Sequence, residues 1–217
     1  MAQAVLIGII ATMITISIHP YSLRKVSLVG LTLFCLSCLS AFAQSTYITV
    51  KSTPYDRQMS RIRPVLTSAT GHKEQNLSLA LVNNWIGNLR AIPYSYSMDW
   101  KTPQEVRFGA SADCKGKAVA LYNTMQSRGA NNVRLVIGKR LWNSPKTHAW
   151  LEWTTASGTY ILDPTINWSA FRAEHTGRSS YIPLYAYAGA QKFRAGASTG
   201  LLASNRLLAG QHVASRL

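Results

Sequence analysis

The hydrophobic spacing changes period once in the middle of this chain, and that change sets the fold class. From Cys114 to Ser127 the apolar residues Ala118, Leu121, Tyr122 and Met125 fall on one helix face, and Gly129 supplies the stop. Three runs of strand character follow, at Val133–Gly138, Thr147–Trp153 and Thr159–Leu162, with Ser157-Gly158 as the turn between the last two. A helix running into consecutive strands on short turns predicts an α+β domain, the helix packed against an antiparallel sheet. Upstream, Leu77, Leu81, Trp85 and Leu89, flanked by Val82 and Ile86, predict a helix from about Glu74 that Pro93 bounds. Thr102-Pro103-Gln104-Glu105 combines an N-cap, a proline at the first helical position and the glutamate of a capping box. It predicts a short helix from Pro103 to near Gly109.

The first 43 residues belong to a different class of segment. They contain Arg24 and Lys25 and no acid, then an apolar stretch from Val26 that closes on Ala41-Phe42-Ala43. That order is the pattern of a secretory signal cut after Ala43. The alternative is an N-terminal membrane segment, since the stretch approaches bilayer length and Ala4 to Ile18 is apolar as well. The expected organisation is therefore a signal or membrane segment over 1–43 and a polar leader wrapped on the surface over 44–74. A folded domain over 75–193 and a loose, low-complexity tail over 194–217 complete it. Such a chain is expected in the periplasm or secreted, with membrane contact only through an uncleaved N-terminal segment.

The chain carries 23 Lys+Arg against 8 Asp+Glu, a formal charge of +15. A surplus of that size fits a polyanionic neighbour. No nucleic-acid fold pattern is visible and export argues against one, so nucleic acid is not expected as a partner. Anionic envelope polymers or an acidic protein substrate fit better. The three cysteines lack the paired clusters of a zinc site, and His72, His175 and His212 have no ligand-spaced partners. No metal and no other cofactor is expected.

Cleavage after Ala43 would remove Cys35 and Cys38 and leave Cys114 alone. A lone thiol in an oxidising compartment is either a small buried hydrophobe or a nucleophile. Cys114 falls where the loop Gly109-Ala-Ser-Ala-Asp113 passes into a helix. Unpaired N–H groups and the positive end of the dipole there favour thiolate and can hold an oxyanion. Lys115 and Lys117 add positive charge to the same turn. His148 opens one strand run and Asp163 closes the next. With Thr155-Ala156 at the hairpin tip, Thr154 pairs with Ser157 and His148 with Asp163. Their Cβ atoms would then lie about 4.5–5.5 Å apart on one face, whereas a one-residue slip would separate them. Singly, each residue has an ordinary structural role; jointly they form a nucleophile, a base and an orienting acid.

The blocks Asp113-Cys114-Lys-Gly-Lys-Ala118, His148-Ala-Trp150-Leu-Glu and Leu162-Asp163-Pro-Thr165 resemble the three core motifs of the transglutaminase-like cysteine hydrolase superfamily. With Trp100-Lys-Thr-Pro103-Gln-Glu105 upstream, the chain is similar to the bacterial periplasmic transglutaminase-like cysteine proteinases over about residues 75 to 190. The resemblance implies a papain-like, transglutaminase-core fold with a catalytic domain over 75–193. It makes Cys114 the nucleophile, His148 the general base and acid, and Asp163 the orienting carboxylate. One group in that branch cleaves surface adhesins and carries Asp-Cys-Glu-Asp around its nucleophile, acids that help bind calcium. Lys115 and Gly116 replace the two acids after the cysteine, so neither calcium dependence nor an adhesin substrate is expected to transfer.

The function expected is an exported thiol hydrolase that cleaves peptide or amide bonds of an envelope protein through an acyl-enzyme. The alternatives are an acyl transferase of transglutaminase type, which would use the same triad, and a catalytically silent binding module of the same fold. Core and cleft-wall packing accounts for most of the tryptophans, and Trp100 and Trp150 are the candidates for lining a substrate groove.

Overall fold

The computed structural model describes residues 46–68, 77–177 and 179–196. The segment expected to direct export, 1–43, and the tail after Gly196 lie outside the described residues. Among the described residues the architecture is α+β. Strand β1 (Tyr47–Thr49) is followed by a 3-10 turn (Ser60–Ile62) and α1 (Arg63–Thr67), then α2 (Leu79–Ala91), α3 (Pro103–Phe108) and α4 (Cys114–Ser127). The strands β2 (Val133–Leu141), β3 (His148–Thr155), β4 (Gly158–Leu162), β5 (Phe171–Arg172), β6 (Ser180–Ala188) and β7 (Gln191–Ala195) complete it. The sheet has seven strands in the order β1-β7-β6-β2-β3-β4-β5, and every neighbouring pair is antiparallel.

The helix that begins at Cys114 has the expected bounds, and its apolar face meets one side of the sheet. Ala118, Leu121, Tyr122 and Met125 pack with Val133, Leu135 and Ile137 of β2, Ala149 and Leu151 of β3 and Leu162 of β4. Its stop is a left-handed Gly129 (φ 77°), and the amide of Ala130 returns to the Met125 carbonyl at 3.0 Å. The capping box at the start of α3 is present. The Thr102 amide donates to Glu105 Oε2 at 2.7 Å and the Glu105 amide to Thr102 Oγ1 at 3.3 Å.

The structure departs from expectation in three places. Helix α2 starts at Leu79 because Ser78 caps it, its Oγ accepting the Leu81 amide at 3.2 Å. A strict four-residue row drifts around a 3.6-residue helix, so Leu81 is 39% exposed while Val82 and Ile86 are fully buried. The segment 44–74 does more than wrap the surface. Tyr47–Thr49 pairs with β7, and Met59, Ile62 and Leu66 enter the core. Pro64, which reads as an interruption, stands in the first turn of α1, where a proline is tolerated. Finally, the tail does not begin at Arg194, since β7 runs to Ala195 and Gly189 (φ 59°) turns the chain into it. Pro183 disguises β6 because it cannot donate to a ladder. It sits at a register shift opposite Gly138. A Cβ on Gly138 would fall 2.2 Å from the Ile182 carbonyl oxygen and 2.5 Å from the Trp150 ring, so only glycine allows β6 to close on β2 there.

Candidate active site

Cys114 is the first residue of α4, and the helix is capped by the preceding Asp113, whose Oδ1 accepts the Gly116 amide at 3.0 Å. The amide of Lys117 bonds to the Asp113 carbonyl at 3.0 Å. The Cys114 and Lys115 amides meet no acceptor among the described residues, which leaves two donors beside the sulfur for a developing oxyanion. Cys114 itself is only 8% exposed.

His148 opens β3, and its Nε2 lies 2.7 Å from Asp163 Oδ2, just past the end of β4. That contact leaves Nδ1 for the thiol. Burial works to lower the imidazole pKa, but the hydrogen bond to Asp163, the neighbouring Cys114 sulfur and the charges of both outweigh it. They hold His148 up at about 9. The pairing that brings the two residues together differs from expectation by an even number. Thr155 pairs with Gly158 and Leu151 with Leu162, so the tip is Ala156-Ser157 and Asp163 lies diagonal to His148 rather than opposite. An even shift preserves the face, and the side chains still meet.

Asp163 is fully buried and saturated. Its Oδ1 accepts the Thr165 amide at 3.0 Å and the Ile166 amide at 3.3 Å, while Oδ2 accepts His148 and, at 3.0 Å, the Tyr181 hydroxyl. The two lysines that follow Cys114 in the first turn of α4 carry their ammonium groups to other partners. The Lys115 ammonium contacts Asp113 Oδ2, donates to the Ser97 carbonyl at 2.8 Å and stands 4.9 Å from the Tyr96 ring. The Lys117 ammonium is buried at the end of α2, donating to the carbonyls of Ile92 at 2.5 Å and Arg90 at 3.4 Å.

Trp100 and Trp150 do not line an open groove. Trp100 is 1% exposed within the apolar cluster that also holds Cys114, and the Trp150 ring is fully buried against Val136 and Tyr181. The exposed aromatic residues on the loop beside the start of α4 are instead Tyr94 and Tyr96, both more than half exposed. The Tyr94 backbone bridges Ala112, and its phenol is pushed up by burial and then by the neighbouring Cys114 and Asp113. Lys146, two residues before His148, lies 5.4 Å from the same Tyr96 ring that Lys115 approaches. The signal for this loop was present in Tyr94-Ser-Tyr96-Ser-Met98, a large–small alternation directly after Pro93. Among the described residues no group of three or more His, Cys, Asp or Glu side chains could hold a metal ion.

No protein-family model matches the chain, and no curated protein matches it at a significant level. Among solved structures, LapG of Legionella pneumophila in its calcium-bound form is similar at 16% identity and a TM-score of 0.48, over 68% of this chain and 85% of that one. EGTA-treated LapG gives 16% identity and 0.45 over 63% and 75%. A candidate cysteine protease of Cytophaga hutchinsonii gives 10% identity and 0.35 over 66% and 60%. None of these likenesses is near enough to carry a function, and the site must speak for itself.

Proposed function

We propose that this protein is an exported thiol hydrolase of papain-like outline that cleaves peptide or amide bonds in the cell envelope. The observation that carries the reading is a cysteine at a helix N-terminus beside a histidine whose far nitrogen is held by a buried carboxylate. The Cys114 thiolate adds to the carbonyl carbon, and the C=O pair moves onto oxygen, where the free Cys114 and Lys115 amides meet it. His148 passes its Nδ1 proton to the departing amine as the C–N bond breaks, leaving a thioester on Cys114. A water then gives its proton to His148 and attacks that thioester, and the thiolate leaves. Asp163 keeps the ring oriented and the imidazolium stabilised throughout.

The experiment is peptidomics of envelope proteins incubated with the wild type and with Cys114→Ala. New peptide termini that depend on Cys114 support hydrolysis. Cross-linked species in their place would make the protein an acyl transferase, and the absence of both would leave a binding module.

A further inference from the structure

Asp163 accepts from one side chain that the triad does not require. The Tyr181 hydroxyl donates to the same Oδ2 that His148 uses, and the Asn167 amide nitrogen donates to that hydroxyl at 2.8 Å. Because Asn167 Nδ2 can only donate, the phenolic proton is left to point at the carboxylate. The hydrogen-bond direction is thereby fixed from Asn167 through Tyr181 to Asp163. Tyr181 reaches this place at some conformational expense. It has φ 49°, a left-handed value unusual for an aromatic residue, at the start of β6. Its ring is fixed on several sides, with the Arg140 guanidinium 4.2 Å from the centroid, Trp150 edge-on at 5.4 Å and Phe171 at 5.5 Å. A left-handed tyrosine, packed on these sides and aimed at a buried carboxylate, is more than sheet packing demands.

We propose that Tyr181 is a positioning residue of the site, its hydroxyl dividing the charge of Asp163 with His148 and setting how strongly the carboxylate holds the imidazolium. The inference rests on the triad reading above. Burial, and then the charge of Asp163, push the phenol up, so it stays a neutral donor throughout the working range. The other groups that bear on the pair are Cys114 and Lys117 from α4 and Arg140 from β2. None of them donates a hydrogen bond to Asp163. Loss of the hydroxyl removes a donor from Oδ2, concentrates its charge on His148 and raises the imidazole further, while the carboxylate loses a fixed point.

The test uses the full chain and two probes, iodoacetamide labelling of Cys114 against pH and turnover of p-nitrophenyl acetate. For Tyr181→Phe, which keeps the ring and its packing, turnover is expected to fall roughly tenfold, the rate equivalent of one hydrogen bond to a charged group. The upper limb of both profiles should move to higher pH. Asn167→Leu should move that limb in the same direction by less. Phe171→Leu, which touches the ring but not the hydroxyl, should lower the melting temperature and leave the limb in place. A Tyr181→Phe limb and turnover matching wild type, or a limb shift reproduced by Phe171→Leu, would overturn the proposal while the triad stands. A wild-type labelling profile matching that of a free cysteine would instead remove the triad reading, and this inference with it.

Discussion

His148 keeps its proton into a pH range where a free imidazole has lost it, and the consequence is a stability that depends on pH in a fixed sense. Below about pH 6.5 the imidazole is protonated in folded and unfolded chains alike, and the pair with Asp163 stabilises the fold in full. As pH rises, the unfolded chain releases the proton first, so this contribution shrinks and is gone once pH passes about 9. Urea unfolding of wild type should therefore lose stability between those limits, and Asp163→Asn should flatten the slope. An equal slope in both proteins would show that the proton resides elsewhere. Lys115 supports a second expectation at this scale. Its ammonium already occupies Asp113 Oδ2 and the Ser97 carbonyl, and it sets a positive charge where oxygen ligands for a hard cation would have to gather. Turnover should be the same in excess chelator as in added calcium. Loss on chelation with rescue by calcium would reveal a site built with other oxygens, such as those of Asp99.

At the scale of elements, the short helix α3 depends on its cap more than on burial, since Val106 is its sole buried residue. The Thr102 amide, followed by Arg61, holds the Glu105 carboxyl down at about 2, so its contribution is present above about pH 4.5 and lost as pH falls through 2. Thr102→Ala should cost about 1 kcal/mol of unfolding free energy, read as a lower urea midpoint at neutral pH. An unchanged midpoint would mean that α3 is held by its neighbours alone. This element was readable from four residues because capping is local chemistry. The start of α4 was readable for the same reason, and so were His148 and Asp163 as residues at the ends of strands. Tyr181 and Asn167 were not, because their roles exist only once β6 has crossed to β2, and the crossing depends on a glycine meeting a proline 45 positions later (Gly138↔Pro183). Trp100 and Trp150 misled in the opposite way. A tryptophan beside a catalytic motif reads equally well as groove or as core, and packing decided for core.

For the whole molecule, the described residues form one α+β body, and none of its helices is long and apolar enough to cross a membrane. The basic, then apolar, then Ala41-Phe42-Ala43 order ahead of it leads us to expect a mature N-terminus at Gln44, determined by N-terminal sequencing of the exported protein. An intact 1–43 segment recovered with membranes would replace cleavage by anchoring. The placement of β1 gives this expectation a physical side. Tyr47 pairs with Ala195, so the earliest strand of the body finds its ladder only on the latest one. It is the most non-local pairing among the described strands, the kind of contact that slows folding. A chain threaded through a membrane from its N-terminus therefore cannot complete this edge until its last strand has followed.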